Sequence, residues 1–112
     1  MYNYKALCTN VVDGDTIDVV IDLGFHITTK QRLRLSNIDT PERGEENYLA
    51  AKIRLKELIL NKNISIITHK PSKWGYYLTT LYTDAGEDIG EILMNEGLAK
   101  YYLNKIPTLK IL

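Results

Sequence analysis

A β-hairpin signal near the start of the chain constrains the fold more than any other sequence feature. The segment Asp13-Gly14-Asp15 contains the Asp-Gly dipeptide, which favours tight hairpin turns because glycine tolerates a positive φ. The run that follows, from Thr16 to Leu23, is rich in β-branched residues and repeats its apolar side chains at every second position, as Ile17, Val19 and Ile21. This pattern predicts an antiparallel hairpin with one face buried against a further layer of the protein.

The remaining segments extend the hairpin into a small mixed fold. The predicted elements are a first strand from Tyr4 to Val12, a long third strand from Phe25 to Ile38, a helix from Glu45 to Leu60, short strands at Ile64 to Ile67 and Tyr76 to Tyr82, and a helix from Asp88 to Asn95 that stops at Gly97. A basic loop, Lys70-Pro71-Ser72-Lys73, is expected between the last two strands. The order strand-strand-strand-helix-strand-strand-helix is that of the OB-fold, a five-stranded, partly open barrel. We therefore predict a mainly β protein with α-helices.

Composition limits the class of protein further. A chain of 112 residues predicts a single domain over residues 1–112. Its 14 basic residues balance its 14 acidic ones, which disfavours a general polycationic binder but allows a local patch. The lone Cys8 excludes an internal disulfide and is expected to be buried. No apolar run approaches the about 20 residues that span a bilayer, and no signal-peptide pattern is present, so we expect an intracellular protein without a membrane partner, although a secreted mature form remains compatible.

Acidic residues at the ends of two predicted strands form a candidate site. Asp15 begins the second strand and Asp39 ends the third, so hairpin pairing brings both carboxylates to one end of the sheet. Two adjacent carboxylates repel each other unless a cation or a proton offsets them, and calcium prefers such oxygen ligands. Arg34 can direct a planar fork at a phosphate, and Glu42, just after Pro41, can orient or deprotonate a water. Each motif alone is also common in purely structural turns; their combination favours a site.

The candidate site residues lie in two sequence blocks, Val12-Asp13-Gly14-Asp15-Thr16 and Arg34-Leu35-Ser36-Asn37-Ile38-Asp39-Thr40-Pro41-Glu42. Both blocks resemble the staphylococcal nuclease family. Two further blocks follow in the family's order, Lys73-Trp74-Gly75 and Glu91-Ile92-Leu93-Met94-Asn95-Glu96-Gly97-Leu98-Ala99. The resemblance implies an OB-fold endonuclease that uses calcium to cut DNA and RNA, leaving a 3′-phosphate and a 5′-hydroxyl.

The resemblance also implies roles for individual residues. Asp15 and Asp39 fall at the calcium carboxylates, and Thr40 falls where a backbone carbonyl completes the protein's ligands. Arg34 matches the first of two arginines that bind the scissile phosphate, and Glu42 matches the carboxylate assigned to the attacking water. Three more residues are expected to contact nucleic acid, preferably single-stranded, through a charge or a stacking ring: Lys73, Trp74 and Tyr76.

The main departure from the family pattern is at the second arginine. The family has aromatic-Gly-Arg where this chain has Trp74-Gly75-Tyr76. A tyrosine can donate one neutral hydrogen bond but supplies neither a fixed charge nor a bidentate fork. We therefore expect attenuated cleavage. Two alternatives stay open: a nearby cation replaces the missing one, with Arg43, Lys70 and Lys73 as candidates, or the chain is a non-catalytic module that binds nucleic acid or protein. A calcium-binding regulatory module is a third reading.

The C-terminus is expected to be shorter than in the family type. Only Tyr101 to Leu112 follow the Gly-Leu-Ala block, and Pro107 prevents one continuous helix. The apolar residues of this end, Ile106, Leu109, Ile111 and Leu112, need a cover. They either close the barrel or pack on a second subunit, which predicts a monomer or a weak homo-oligomer.

Overall fold

A five-stranded closed barrel carries two helices and one small extra ladder in the computed structural model, which describes residues 2–71 and 75–102. In chain order the elements are β1 (Tyr2–Asp13), β2 (Thr16–Asp22), β3 (Thr28–Leu35), β4 (Ile38–Asp39), α1 (Tyr48–Ile59), β5 (Asn63–Pro71), β6 (Tyr77–Tyr82), α2 (Ile89–Asn95) and β7 (Lys100–Tyr101). The barrel order is β1-β2-β3-β6-β5, closed by β1 against β5, and only the β3–β6 pair is parallel. The predicted mainly β OB-fold architecture is confirmed.

The first hairpin forms where the sequence predicts it, but its glycine has a different purpose. Asp13 pairs with Thr16 across a turn of two residues. Gly14 does not have a positive φ, so the turn does not depend on a left-handed backbone conformation. Instead, an added Cβ at Gly14 would lie 2.8 Å from Thr40 Oγ1 and 3.0 Å from the Ala51 Cβ. The missing side chain therefore allows the turn to pack tightly against the site loop and α1.

The long third strand predicted from Phe25 to Ile38 is wrong at both ends. Phe25 and His26 belong to the β2–β3 turn, where their φ values are 55° and 60°. At the other end, Asn37 has φ 61°, a left-handed conformation that asparagine adopts more readily than most residues. This kink separates β4 from β3 and turns the chain out of the barrel toward the site.

The two helices are predicted correctly in place, with α1 shorter than expected. It begins at Tyr48, after Asn47 in a left-handed conformation with φ 67°, rather than at Glu45. The side chain of Asp88 caps α2 by accepting a hydrogen bond from the Glu91 N–H, as the sequence predicts. The buried face of α1 and the buried residues of α2 cover the barrel core through Tyr48, Ala51, Leu55, Ile59, Ile89 and Leu93.

The last described residues lie beside the site. β7 pairs with β4, so Lys100 is opposite Asp39 and Tyr101 is opposite Ile38. The basic loop predicted over residues 70–73 is wrong at its start, because β5 continues to Pro71, and its other two residues lie outside the described residues. The apolar tail residues on which the prediction of self-association depends lie outside the described residues. Within residues 2–71 and 75–102, neither helix is long and apolar enough to cross a bilayer.

Candidate active site

Arg34 is the centre of the candidate site, and the main chain fixes its orientation. The residue lies on β3 opposite Thr16, and its side chain is partly buried on the outer face of the barrel. Its Nη1 donates to the carbonyl oxygens of Leu35, at 2.7 Å, and Ile38, at 3.0 Å. Because these acceptors belong to the kink between β3 and β4, the backbone itself holds the guanidinium in one orientation.

Asp15 and Asp39 meet at the other nitrogen of the same guanidinium. Arg34 Nη2 lies 3.3 Å from Asp15 Oδ2 and 3.4 Å from Asp39 Oδ1. The Asp15 side chain is only 12% exposed, whereas that of Asp39 is 55% exposed. The hairpin turn and β4 therefore bring together the three residues that the sequence singled out, with the arginine between the two carboxylates.

Three local hydrogen bonds hold Asp15 in place. The Thr40 N–H donates to Asp15 Oδ2 at 3.2 Å, and the Thr16 hydroxyl donates to Oδ1 at 3.2 Å. The Leu35 N–H donates to the Asp15 carbonyl at 2.8 Å. Asp15 is thus a carboxylate preorganised by the end of β3 and by the residue that follows β4.

The donor set suits a hard cation. Asp15 and Asp39 offer carboxylate oxygens, the ligands that calcium prefers. The Thr40 Oγ1 is buried and has no hydrogen-bond partner among the described residues, so a polar atom beside the carboxylates is left unsatisfied. Across residues 2–71 and 75–102, no three His, Cys, Asp or Glu side chains are grouped to hold a metal. A cation here would accordingly need carbonyl and water oxygens in addition to the two carboxylates.

Glu42 lies in the exposed loop between β4 and α1. Its N–H donates to Glu45 Oε1 at 2.6 Å, and the Glu45 N–H donates back to the Glu42 carbonyl at 2.9 Å. This pair of bonds forms a compact turn after Pro41. The exposed Glu42 carboxylate is therefore accessible to water, as its expected role requires.

Tyr76 faces an arginine that the sequence did not single out. The parallel register pairs Leu33 with Tyr77, which places Tyr76 beside Arg32. Arg32 donates from Nε to Asp18 Oδ1 at 2.8 Å and from Nη2 to Oδ2 at 3.1 Å. The pKa of Arg32 is raised above its usual range, first by the hydrogen bond with Asp18 and next by a hydrogen bond with Tyr76. The only sequence signal for this residue is its spacing of two from Arg34 on a strand.

The other expected contacts are only partly covered by the described residues. Arg43 lies beside the Tyr48 hydroxyl, which donates to Asp13 Oδ1 at 2.6 Å. The pKa of Tyr48 is raised, chiefly by that hydrogen bond to Asp13, while Arg43 acts in the opposite direction. Lys73 and Trp74 lie outside the described residues.

Comparison with known proteins gives consistent matches. The family model described as "Staphylococcal nuclease homologue" matches residues 32–110. Two relatives called "Uncharacterized endonuclease", from Escherichia coli O157:H7 and Escherichia coli, are each 26% identical over 121 residues, which covers 100% of this chain and 76% of theirs. A "Micrococcal nuclease" from Shigella flexneri is 27% identical over 108 residues, covering 89% of this chain and 59% of its own.

Proposed function

The chain belongs to the staphylococcal nuclease homologue family, and from that premise we propose that it is a calcium-dependent nuclease that hydrolyses phosphodiester bonds in DNA and RNA. One observation carries the proposal: a backbone-held guanidinium lies between two carboxylates at the end of the barrel. The nuclease names of the similar proteins agree with this activity.

Arg34 binds the phosphate in this proposal. Its Nη1 stays on the two carbonyls, while Nη2 exchanges its carboxylate contacts for phosphate oxygens. Asp15, Asp39 and the Thr40 carbonyl would hold calcium, which supplies positive charge that offsets the carboxylates and the charge developing on the phosphate. Two hydrogen bonds to the Asp15 carboxylate and one to its backbone carbonyl keep Asp15 in place when Arg34 Nη2 binds the phosphate instead.

Glu42 acts on the attacking water. Its exposed carboxylate orients the water and accepts a proton as the water oxygen bonds to phosphorus. The bond from phosphorus to the 5′ oxygen breaks, and that oxygen takes up a proton. The products are a 3′-phosphate and a 5′-hydroxyl.

The substrate is expected to be single-stranded, because exposed aromatic and basic groups bind unpaired bases and phosphates. Three residues are expected to contact the nucleic acid: Lys73, Trp74 and Tyr76. Of these, Tyr76 lies within the described residues, and it is 37% exposed. Since Tyr76 supplies no fixed charge, cleavage is slower than in a site where an arginine stands there. Loss of one preorganised donor to a developing anion costs on the order of 10²–10³ in rate.

Tyr76 is also the observation that favours a second candidate function. A chain that has lost an essential cation could keep the scaffold as a non-catalytic module that binds nucleic acid. The two candidates differ in product formation, since both predict oligonucleotide binding but only the first predicts new ends.

The test is cleavage of an end-labelled single-stranded oligonucleotide in calcium, with analysis of the new ends. Asp39→Ala should abolish cleavage, because it removes one of the two carboxylates proposed to hold calcium. Asp84→Ala, which removes another exposed carboxylate in the turn before α2, should cut like the native chain. Binding without new ends in the native chain would support the module instead, and equal cleavage by Asp39→Ala would refute the assigned site.

A further inference from the structure

Arg32 and Arg34 lie side by side on the outer face of β3. The strand alternates, with Leu33 and Leu35 buried in the barrel and the two arginines facing outward. Residues two apart on one face of a strand are about 7 Å apart along it. Two long guanidinium side chains on neighbouring positions can therefore reach the same anion.

The two arginines differ in how much of their donor capacity is already used. Arg34 is 20% exposed and directs its nitrogens to two carbonyls and two carboxylates. Arg32 is 43% exposed, and among the described residues its one carboxylate partner is Asp18, bound through Nε and Nη2. A guanidinium has five N–H donors, so Arg32 keeps donors for a ligand that arrives from solvent.

The neighbours of Arg32 fix the direction in which it points. Asp18 holds it from β2, and the Asn10 amide, at 3.3 Å, holds the Asp18 carboxylate in turn. Tyr76 touches it from the β6 side of the strand. Because Asp18 occupies Nε and Nη2, the remaining N–H donors of the guanidinium are held in one orientation, and they bind phosphate with less loss of side-chain entropy than those of a free surface arginine.

The charge of the site creates a need for such a residue. Asp15 and Asp39 outnumber the single charge of Arg34. Before calcium is bound, a phosphodiester that approaches Arg34 therefore meets more negative than positive charge. Arg32, next to Arg34 on the outer face of β3, offers that phosphate further N–H donors, although it shares its charge with Asp18.

We propose that Arg32 is a second phosphate-binding residue, whose guanidinium, oriented by Asp18 and flanked by Tyr76, donates to the same phosphodiester as Arg34. This inference rests on the proposed function. It places the second positive charge on β3, one strand away from position 76, and it explains how a tyrosine at that position is compatible with cleavage. The competing explanation is a surface ion pair that only ties β2 to β3, and such pairs contribute little to stability.

The experiment compares Arg32→Ala, Arg32→Lys, Asp18→Asn and a matched control, Lys30→Ala, which removes a charge from the same face of β3. Single-turnover cleavage in calcium is measured at saturating enzyme. Binding of a fluorescent single-stranded oligothymidylate is measured separately in calcium, with every variant placed in a Glu42→Gln background that blocks cleavage. Thermal unfolding identifies any variant that fails to fold. If Arg32→Ala fails to fold, Arg32→Lys takes its place in the comparison.

We expect Arg32→Ala to lower the single-turnover rate by on the order of 10²-fold and to weaken binding by on the order of tenfold. Arg32→Lys should keep most of the binding and lose part of the rate, because it keeps the charge but not the fork. Asp18→Asn weakens the orientation of Arg32 but also removes a negative charge, so it should change binding much less than Arg32→Ala does, and Lys30→Ala should change neither quantity by more than about threefold.

Two results would overturn the inference. One is equal behaviour of Arg32→Ala and Lys30→Ala in both measurements. The other is a loss in Asp18→Asn as large as in Arg32→Ala, which identifies a structural ion pair. If the native chain does not cleave but Arg32→Ala alone weakens binding, the proposed function fails while the phosphate-binding role of Arg32 holds.

Discussion

Replacing Arg34 with methionine should destabilise the metal-free protein and strengthen calcium binding. The substitution keeps an unbranched side chain of similar length but removes every donor. The guanidinium that now lies between the Asp15 and Asp39 carboxylates is lost, so those oxygens become available to a cation. A loss of stability together with a gain in calcium affinity is expected only if the guanidinium and the cation use the same position between the two carboxylates.

The magnitudes follow from the contacts of Arg34. The substitution removes two charged hydrogen bonds to carbonyls and leaves the mostly buried Asp15 without its cation. After allowance for water at this partly exposed side chain, we expect the unfolding free energy to fall by about 2–4 kcal/mol. An ion pair near 4 Å corresponds to about 4 kcal/mol at an effective dielectric constant of about 20. Screening at the exposed Asp39 reduces this to about 2 kcal/mol, or about 30-fold in the calcium Kd.

Urea unfolding in chelator measures the first effect, and calorimetric calcium titration measures the second. Arg54→Met is the matched control, because Arg54 pairs with Glu96 between the helices rather than with the site carboxylates. We expect its calcium Kd to equal that of the native chain. Unchanged or weaker calcium binding in Arg34→Met would refute the idea that the arginine and the cation compete for the same two carboxylates.

Further predictions concern packing, ionisation and helix contacts. Gly14→Ala should lower the unfolding free energy by about 1–3 kcal/mol in urea, because the new Cβ meets Thr40 Oγ1 at 2.8 Å, and unchanged stability would contradict that close packing. Burial raises the pKa of the Cys8 thiol to about 11, so a thiol reagent should modify native protein far more slowly than unfolded protein at pH 8. The unfolded thiol ionises first as pH rises, so stability should fall from about pH 9 toward pH 11, and Cys8→Ala should lack that loss. Replacing Arg54 by alanine should lower the unfolding free energy only slightly, because its pair with Glu96 is exposed to solvent, and a double-mutant cycle with Glu96→Ala measures the coupling.

Local sequence rules account for much of this fold. The period of two predicts the strands of the first hairpin, because a shift of one residue would expose the whole apolar set, and the Asp-Gly dipeptide marks the position of its turn although Gly14 does not adopt a positive φ. Cap chemistry predicts α2 from Asp88 and Gly97. The same rules bring Asp15 and Asp39 to one end of the sheet, which is why the centre of the candidate site is predictable.

Features that depend on distant contacts are not predictable in this way. In the sequence, Asn37 looks like one more residue of a continuing strand. Only its left-handed backbone conformation in the structure reveals the kink that separates β4 from β3. The role of Gly14 depends on Thr40, a residue far along the chain. The contact of Arg32 with Tyr76 requires the parallel β3–β6 pairing, which no local pattern encodes.

The measurement that tests the account most directly is single-turnover cleavage of 5′-labelled single-stranded DNA by excess native protein, across a calcium titration and in chelator. The account predicts a cleavage rate that saturates with calcium and falls to background in chelator. It also predicts fragments that carry a 3′-phosphate, which a phosphatase removes. A rate that is the same in calcium and in chelator, or no fragments at saturating calcium while the oligonucleotide remains bound, would contradict it.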